Sequence, residues 1–78
     1  MLRAYILVQT DAGSASKVTN EIGSVGGVRL VQSVTGPYDL IARAEVADMD
    51  ALGAMLGDIQ QIPGLTRTLT CIVKHTTE

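Results

Sequence analysis

The stretch Val28 to Val46, VRLVQSVTGPYDLIARAEV, decides the fold. Its flanks alternate side chains with the period of two that a pleated strand imposes. Val28, Leu30, Gln32 and Val34 oppose Arg29, Val31, Ser33 and Thr35; then Leu40, Ala42, Ala44 and Val46 oppose Ile41, Arg43 and Glu45. Between the flanks, Gly36 tolerates a positive φ and Pro37 fixes φ near the value that a turn needs. Thr35–Asp39 therefore reads as the connection between two strands, Val28–Thr35 and Leu40–Val46.

Working outward toward the N-terminus, Gly26-Gly27 closes a segment in which Ala15, Val18, Ile22 and Val25 recur at helical spacing. Asp11, Ser14 and Ser16 are each candidate caps for it, and none has Glu or Gln three positions later to complete a capping box. Ahead of it, Arg3–Thr10 (RAYILVQT) is apolar on both sides, as a central strand covered on both faces would be. Toward the C-terminus, Asp48 or Asp50 caps a helix whose Leu52, Met55, Leu56 and Ile59 share one face until Ile62-Pro63-Gly64 ends it. Gly53 and Gly57, four apart in that helix, each cost about 1 kcal/mol relative to Ala. They signal either the close approach of a partner helix or, as the better-weighted reading, an amphipathic helix whose packed face outweighs poor propensity. Leu65–His75 (LTRTLTCIVKH) then alternates as a fourth strand.

The order β-α-β-β-α-β predicts a ferredoxin-like α+β fold, the split βαβ plan: a four-stranded antiparallel sheet with two helices on one face. The other face, carrying Tyr5, Leu7, Val31, Ile41, Leu69, Cys71 and Val73 or the alternate set, is more apolar than an isolated chain usually exposes, so a sheet-to-sheet dimer is expected. Residues 1–78 show no repeat, low-complexity stretch or linker and are expected to form one domain.

Composition removes several classes of function. One cysteine, Cys71, and one histidine, His75, fall far short of a metal-ligand set or a disulfide framework, and no cofactor is expected. Six basic against eight acidic residues, a net charge of −2, leave no cluster to neutralise phosphates, so direct DNA binding is not expected. With no Phe or Trp and only two Tyr there is no base-stacking surface. The apolar run Ala4–Val8 is too short for a membrane span or a signal-peptide core, and a lone thiol suits a reducing compartment; a cytoplasmic location is expected.

The turn is the candidate site. The backbone N–H groups of Gly36, Tyr38 and Asp39 suit an anionic group, the Asp39 carboxylate suits a cation, and the Tyr38 ring suits an apolar portion, which together describe a free amino acid. Gly-Pro-Tyr-Asp is equally an ordinary hairpin connection. Catalytic chemistry is not expected: Cys71 and His75, four apart on one strand, stand roughly 13 Å apart by strand rise, and helix capping accounts for Asp48 and Asp50.

Two stretches carry a resemblance to a known family. Thr35-Gly36-Pro37-Tyr38-Asp39-Leu40-Ile41 resembles the Gly-x-Tyr-Asp turn, and Ile62-Pro63-Gly64-Leu65-Thr66-Arg67-Thr68-Leu69-Thr70 resembles the Pro-Gly-Val, Arg-Thr-x-Thr ending, of the ligand-sensing (RAM) domain of Lrp/AsnC transcription regulators. The resemblance spans essentially the whole chain. It implies a small effector, usually a free amino acid, bound where subunits meet, and dimers gathered into octamer-like rings. On this reading Asp39 pairs with the α-ammonium, Gly36 and Tyr38 hold the α-carboxylate across the turn that Pro37 shapes, and Thr68 and Thr70 of a neighbouring chain add hydroxyls; Thr66 matches less well. Strand propensity alone also explains the threonines. Family regulators generally carry an N-terminal helix-turn-helix, whereas here strand one begins by Arg3. The chain therefore reads either as a stand-alone sensing module or as an excised domain with an added Met; the stand-alone module, acting by itself or joined to a helix-turn-helix relative, is the favoured expectation. The alternatives are a small cofactor-free oxygenase or isomerase of the dimeric α/β-barrel type, and an ACT-like regulatory domain with its site at Asp11–Ser14.

Overall fold

The computed structural model describes residues 1–78. The elements β1 (Leu2–Thr10), α1 (Ala15–Gly23), β2 (Val28–Ser33), β3 (Leu40–Val46), α2 (Met49–Gln60) and β4 (Leu65–Ile72) follow the expected order. The strands lie in the order β2-β3-β1-β4, every neighbouring pair antiparallel. β1 and β3 take the centre because their inward faces are wholly apolar: Ala4, Ile6 and Val8 on one, Leu40, Ala42, Ala44 and Val46 on the other, all buried. Val18 and Ile22 of α1 and Leu52, Met55 and Ile59 of α2 complete the core. None of the fully buried residues lies on an edge strand. No helix is long and apolar enough to cross a membrane.

The helix boundaries follow from their ends. Asp48 caps α2, its carboxylate accepting the Ala51 N–H at 2.9 Å, while Asp50 sits in the first turn. Ser14 precedes α1 without a side-chain capping bond. α1 stops at Gly23, earlier than its apolar spacing implied. The N–H groups of Ser24 and Val25 bond three residues back, to Glu21 O at 3.1 Å and Ile22 O at 3.0 Å, which tightens the chain out of the α-helix. Val25 nevertheless packs on the core from the loop.

Two irregularities change the expected faces of the edge strands. In β2, Val28 opposes Ala44 and Leu30 opposes Arg43, so Arg29 is an extra residue and the alternation slips by one. Val28 and Val31 consequently both pack on the core, and Leu30 turns to the open face; Val31, expected there, does not lie there. In β4, Gln9 opposes Arg67 and Thr10 opposes Leu65, so Thr66 is the extra residue and Leu65 returns to the core. β2 ends at Ser33 rather than Thr35. β4 ends at Ile72 rather than His75, with one further ladder bond from Val73 N–H to Arg3 O at 2.9 Å.

The open face carries Tyr5, Leu7, Ile41, Leu69 and Cys71 as expected, with Leu30 added. Tyr5, Leu30 and Leu69 are 43, 42 and 47 % exposed, far above core values for side chains of this size.

Candidate functional site

The β2–β3 connection runs from Val34 to Asp39 and sits at the C-terminal end of β1, because antiparallel pairing sets the start of β3 beside the end of its neighbour. Gly36 has φ 154°, a conformation open essentially to glycine. Pro37 is exposed, and Tyr38 and Asp39 are half-buried. Val34 N–H donates to Asp39 O at 2.9 Å and closes the loop.

Asp39 is tied to β1 twice over. Its N–H donates to Val8 O at 2.9 Å, and its Oδ2 accepts from Thr10 N–H at 2.8 Å and from the Thr10 hydroxyl at 3.2 Å. Gln9 Nε2 donates to Pro37 O at 3.1 Å. Of the three backbone N–H groups expected to face an anion, that of Asp39 is therefore committed within the chain, while those of Gly36 and Tyr38 make no hydrogen bond in it. Asp39 has no cationic partner, the ion pair of the chain being Arg29–Glu45 at 3.9 Å. Gln9 and Thr10 hold the candidate turn, and the sequence pattern did not single them out. Their signal was two polar side chains ending an apolar strand at the end that this topology sets beside the turn.

Thr68 and Thr70 stand on the helix side of β4, half-buried, opposite Val8 and Ile6 of β1. Leu40 lies on the other flank of Val8. Two strand spacings, roughly 9–10 Å, thus separate Thr68 from the start of β3, and one chain does not gather the threonines around the turn. Thr66 donates its hydroxyl to Gln9 O at 3.1 Å.

None of Gly36, Pro37, Tyr38, Asp39, Thr68 and Thr70 lines a cavity. The largest cleft, about 720 Å³, lies on the open face toward the far end of β1, bordered by Arg3, Tyr5, Arg43, Glu45, Lys74 and His75. His75 is beyond β4, so the strand-rise separation from Cys71 does not apply to it; Cys71 is exposed on the open face beside Tyr5. No group of three His, Cys, Asp or Glu side chains converges as a metal site.

Comparison with known proteins places the whole of this architecture. The family model described as Lrp/AsnC ligand binding domain matches residues 3–78. Among curated proteins, the HTH-type transcriptional regulator FL11 of Pyrococcus horikoshii is 34 % identical over 79 residues, covering 96 % of this chain and 52 % of the regulator. The homocitrate synthase of Sulfolobus acidocaldarius is 30 % identical over 73 residues, covering 92 % of this chain and 16 % of the enzyme. The chain thus spans about half the length of the regulators it matches and a small part of the enzyme. Among solved structures, TTHA0845 from Thermus thermophilus superposes with a TM-score of 0.94 at 28 % identity, covering 100 % of this chain and 99 % of that one. The transcriptional regulator NMB0573 from Neisseria meningitidis, solved as a complex with L-Met, superposes with a TM-score of 0.81 at 25 % identity, covering 97 % of this chain and 54 % of that one.

Proposed function

The chain belongs to the Lrp/AsnC ligand-binding domain family, and from that premise we propose that it senses a free amino acid at the Gly36–Asp39 turn, within an assembly of copies of itself. The observation that carries this reading is the turn's unfinished polar chemistry. Two N–H groups, on Gly36 and Tyr38, have no partner in the chain, and the Asp39 carboxylate is held by neutral donors only, with no cation beside it. An α-carboxylate and an α-ammonium complete that set. The L-Met complex of the Neisseria regulator supports the same ligand class.

The second half of the site comes from a neighbouring chain. The turn has no cavity of its own, and Thr68 and Thr70 lie on the wrong side of β1 to reach it, so a pocket forms when another copy brings its β4 hydroxyls to the turn. The open sheet face supplies the primary dimer contact, and dimers gather into an octamer-like ring. That this domain also matches part of an enzyme fits a module that reads a small molecule rather than DNA or a substrate of its own. It acts in the cytoplasm, alone or co-assembled through the same sheet with a helix-turn-helix relative, and performs no catalysis itself.

Isothermal titration with each of the twenty common amino acids tests the reading on the wild type and on Asp39→Asn. The amide oxygen of Asn still accepts from Thr10 and preserves the turn, but carries no charge. Selective binding by the wild type, weakened at least tenfold by Asp39→Asn at unchanged melting temperature, supports the site. Unchanged affinity in Asp39→Asn overturns it.

A further inference from the structure

The end of β1 touches both stretches that mark the site. Gln9 and Thr10 hold the turn through Pro37 O and Asp39 Oδ2, while Gln9 O receives the Thr66 hydroxyl and Asp11 N–H donates to Gly64 O at 2.8 Å. Four successive residues, Val8 to Asp11, thereby brace the loop before β3 and the loop before β4 against one rod. Thr10 is the distinctive member. Both of its donors converge on a single oxygen of Asp39, which fixes the carboxylate plane and leaves Oδ1 without a partner in the chain and not buried.

We infer that Thr10 is a positioning residue for effector recognition, aiming the free oxygen of Asp39 at the ligand's ammonium group. The inference rests on the amino-acid site proposed at the turn. Asp39 side-chain freedom is the quantity at stake: a carboxylate clamped at one oxygen by a neutral pair loses rotamers before the ligand arrives, so less entropy is lost on binding. Neutral donors are the suitable clamp, because a Lys or Arg in the same place would neutralise the charge that the ammonium requires. Thr10→Val keeps the shape and the N–H bond and removes only the hydroxyl; Thr10→Ser restores it.

The experiment compares wild type, Thr10→Val, Thr10→Ser and Asp39→Asn by titration with whichever of the twenty common amino acids binds the wild type most tightly, alongside melting temperature. Thr10→Val is expected to bind about tenfold more weakly, the order of one side chain's rotamer entropy, with melting temperature lowered by about 5–10 °C but the chain still folded at the titration temperature, and with Thr10→Ser near wild type in both. If Asp39→Asn abolishes binding while Thr10→Val retains it, or if Thr10→Ser binds as poorly as Thr10→Val, the positioning role is overturned and the site stands. If no amino acid binds the wild type, or Asp39→Asn binds normally, the site itself is overturned and this role with it.

Discussion

Gly36 and Gly64 both hold positive φ, at 154° and 93°, yet they answer to different constraints. A Cβ on Gly36 meets nothing within 4 Å, so Gly36→Ala costs only the backbone strain, about 1 kcal/mol at the low end for a sparsely populated φ. A Cβ on Gly64 lands 2.9 Å from Cβ of Ser14, where the α2–β4 loop presses on the start of α1, so Gly64→Ala adds a clash to the strain and costs roughly 2–3 kcal/mol. Urea unfolding of the two variants is expected to rank them in that order; equal losses would contradict the close packing. The turn was legible in the sequence because its residue types have known turn geometry. Thr10 was not, because a threonine at a strand end carries no mark of a carboxylate 29 positions away. Similarly, the Asp39 N–H expected to be available is engaged, since only the register of β1 against β3 reveals Val8 O beside it.

At the scale of the element, periodicity located all six strands and helices, because each central strand and each helix has an apolar face that must find the core. What periodicity could not find is where its own phase breaks. A single extra residue at Arg29 puts Val28 and Val31, three apart, on the same side of a strand and sends Leu30 to the other; any reading by strict alternation exchanges Leu30 and Val31. The end of α1 was hidden for a related reason, since Val25 keeps its core contact after the helix has stopped. In α2 the capping bond from Asp48 makes Asp48→Ala cost about 1 kcal/mol, measurable by denaturant titration. Gly53 and Gly57 are exposed, and a methyl group added at either would meet open space, so nothing inside the chain requires them. Gly53→Ala combined with Gly57→Ala is expected to stabilise the fold by roughly 1–2 kcal/mol with assembly size unchanged. Loss of assembly by light scattering would instead assign the two glycines to helix contact between copies.

At the scale of the whole molecule, the helices cover one face of the sheet and leave the other bare. The chain exposes 4950 Å² for its 8.2 kDa, against roughly 4,500 Å² for a compact monomer of that mass. The bare sheet face adds to that exposure, and a second copy is its proposed cover. A charge at its middle is the direct probe: Tyr5→Asp, at a position 43 % exposed and remote from the turn, leaves the core untouched. It is expected to convert the assembly to monomer by light scattering, while circular dichroism remains native; unchanged size would show that the open face is not the contact. A site completed by a second chain, as proposed, is only half legible in one sequence. Residue types identified which groups suit an amino acid, whereas the chain's own structure sets the turn and the β4 threonines on opposite sides of β1.

Amino-acid binding by Tyr5→Asp, followed as thermal shift and titration at a concentration where the wild type is assembled, decides whether a neighbouring chain completes the pocket. If a neighbouring chain completes the pocket, the wild type gains melting temperature with a selective amino acid and the monomeric variant gains none. Equal affinity in the folded monomer would contradict a pocket completed by a neighbouring chain.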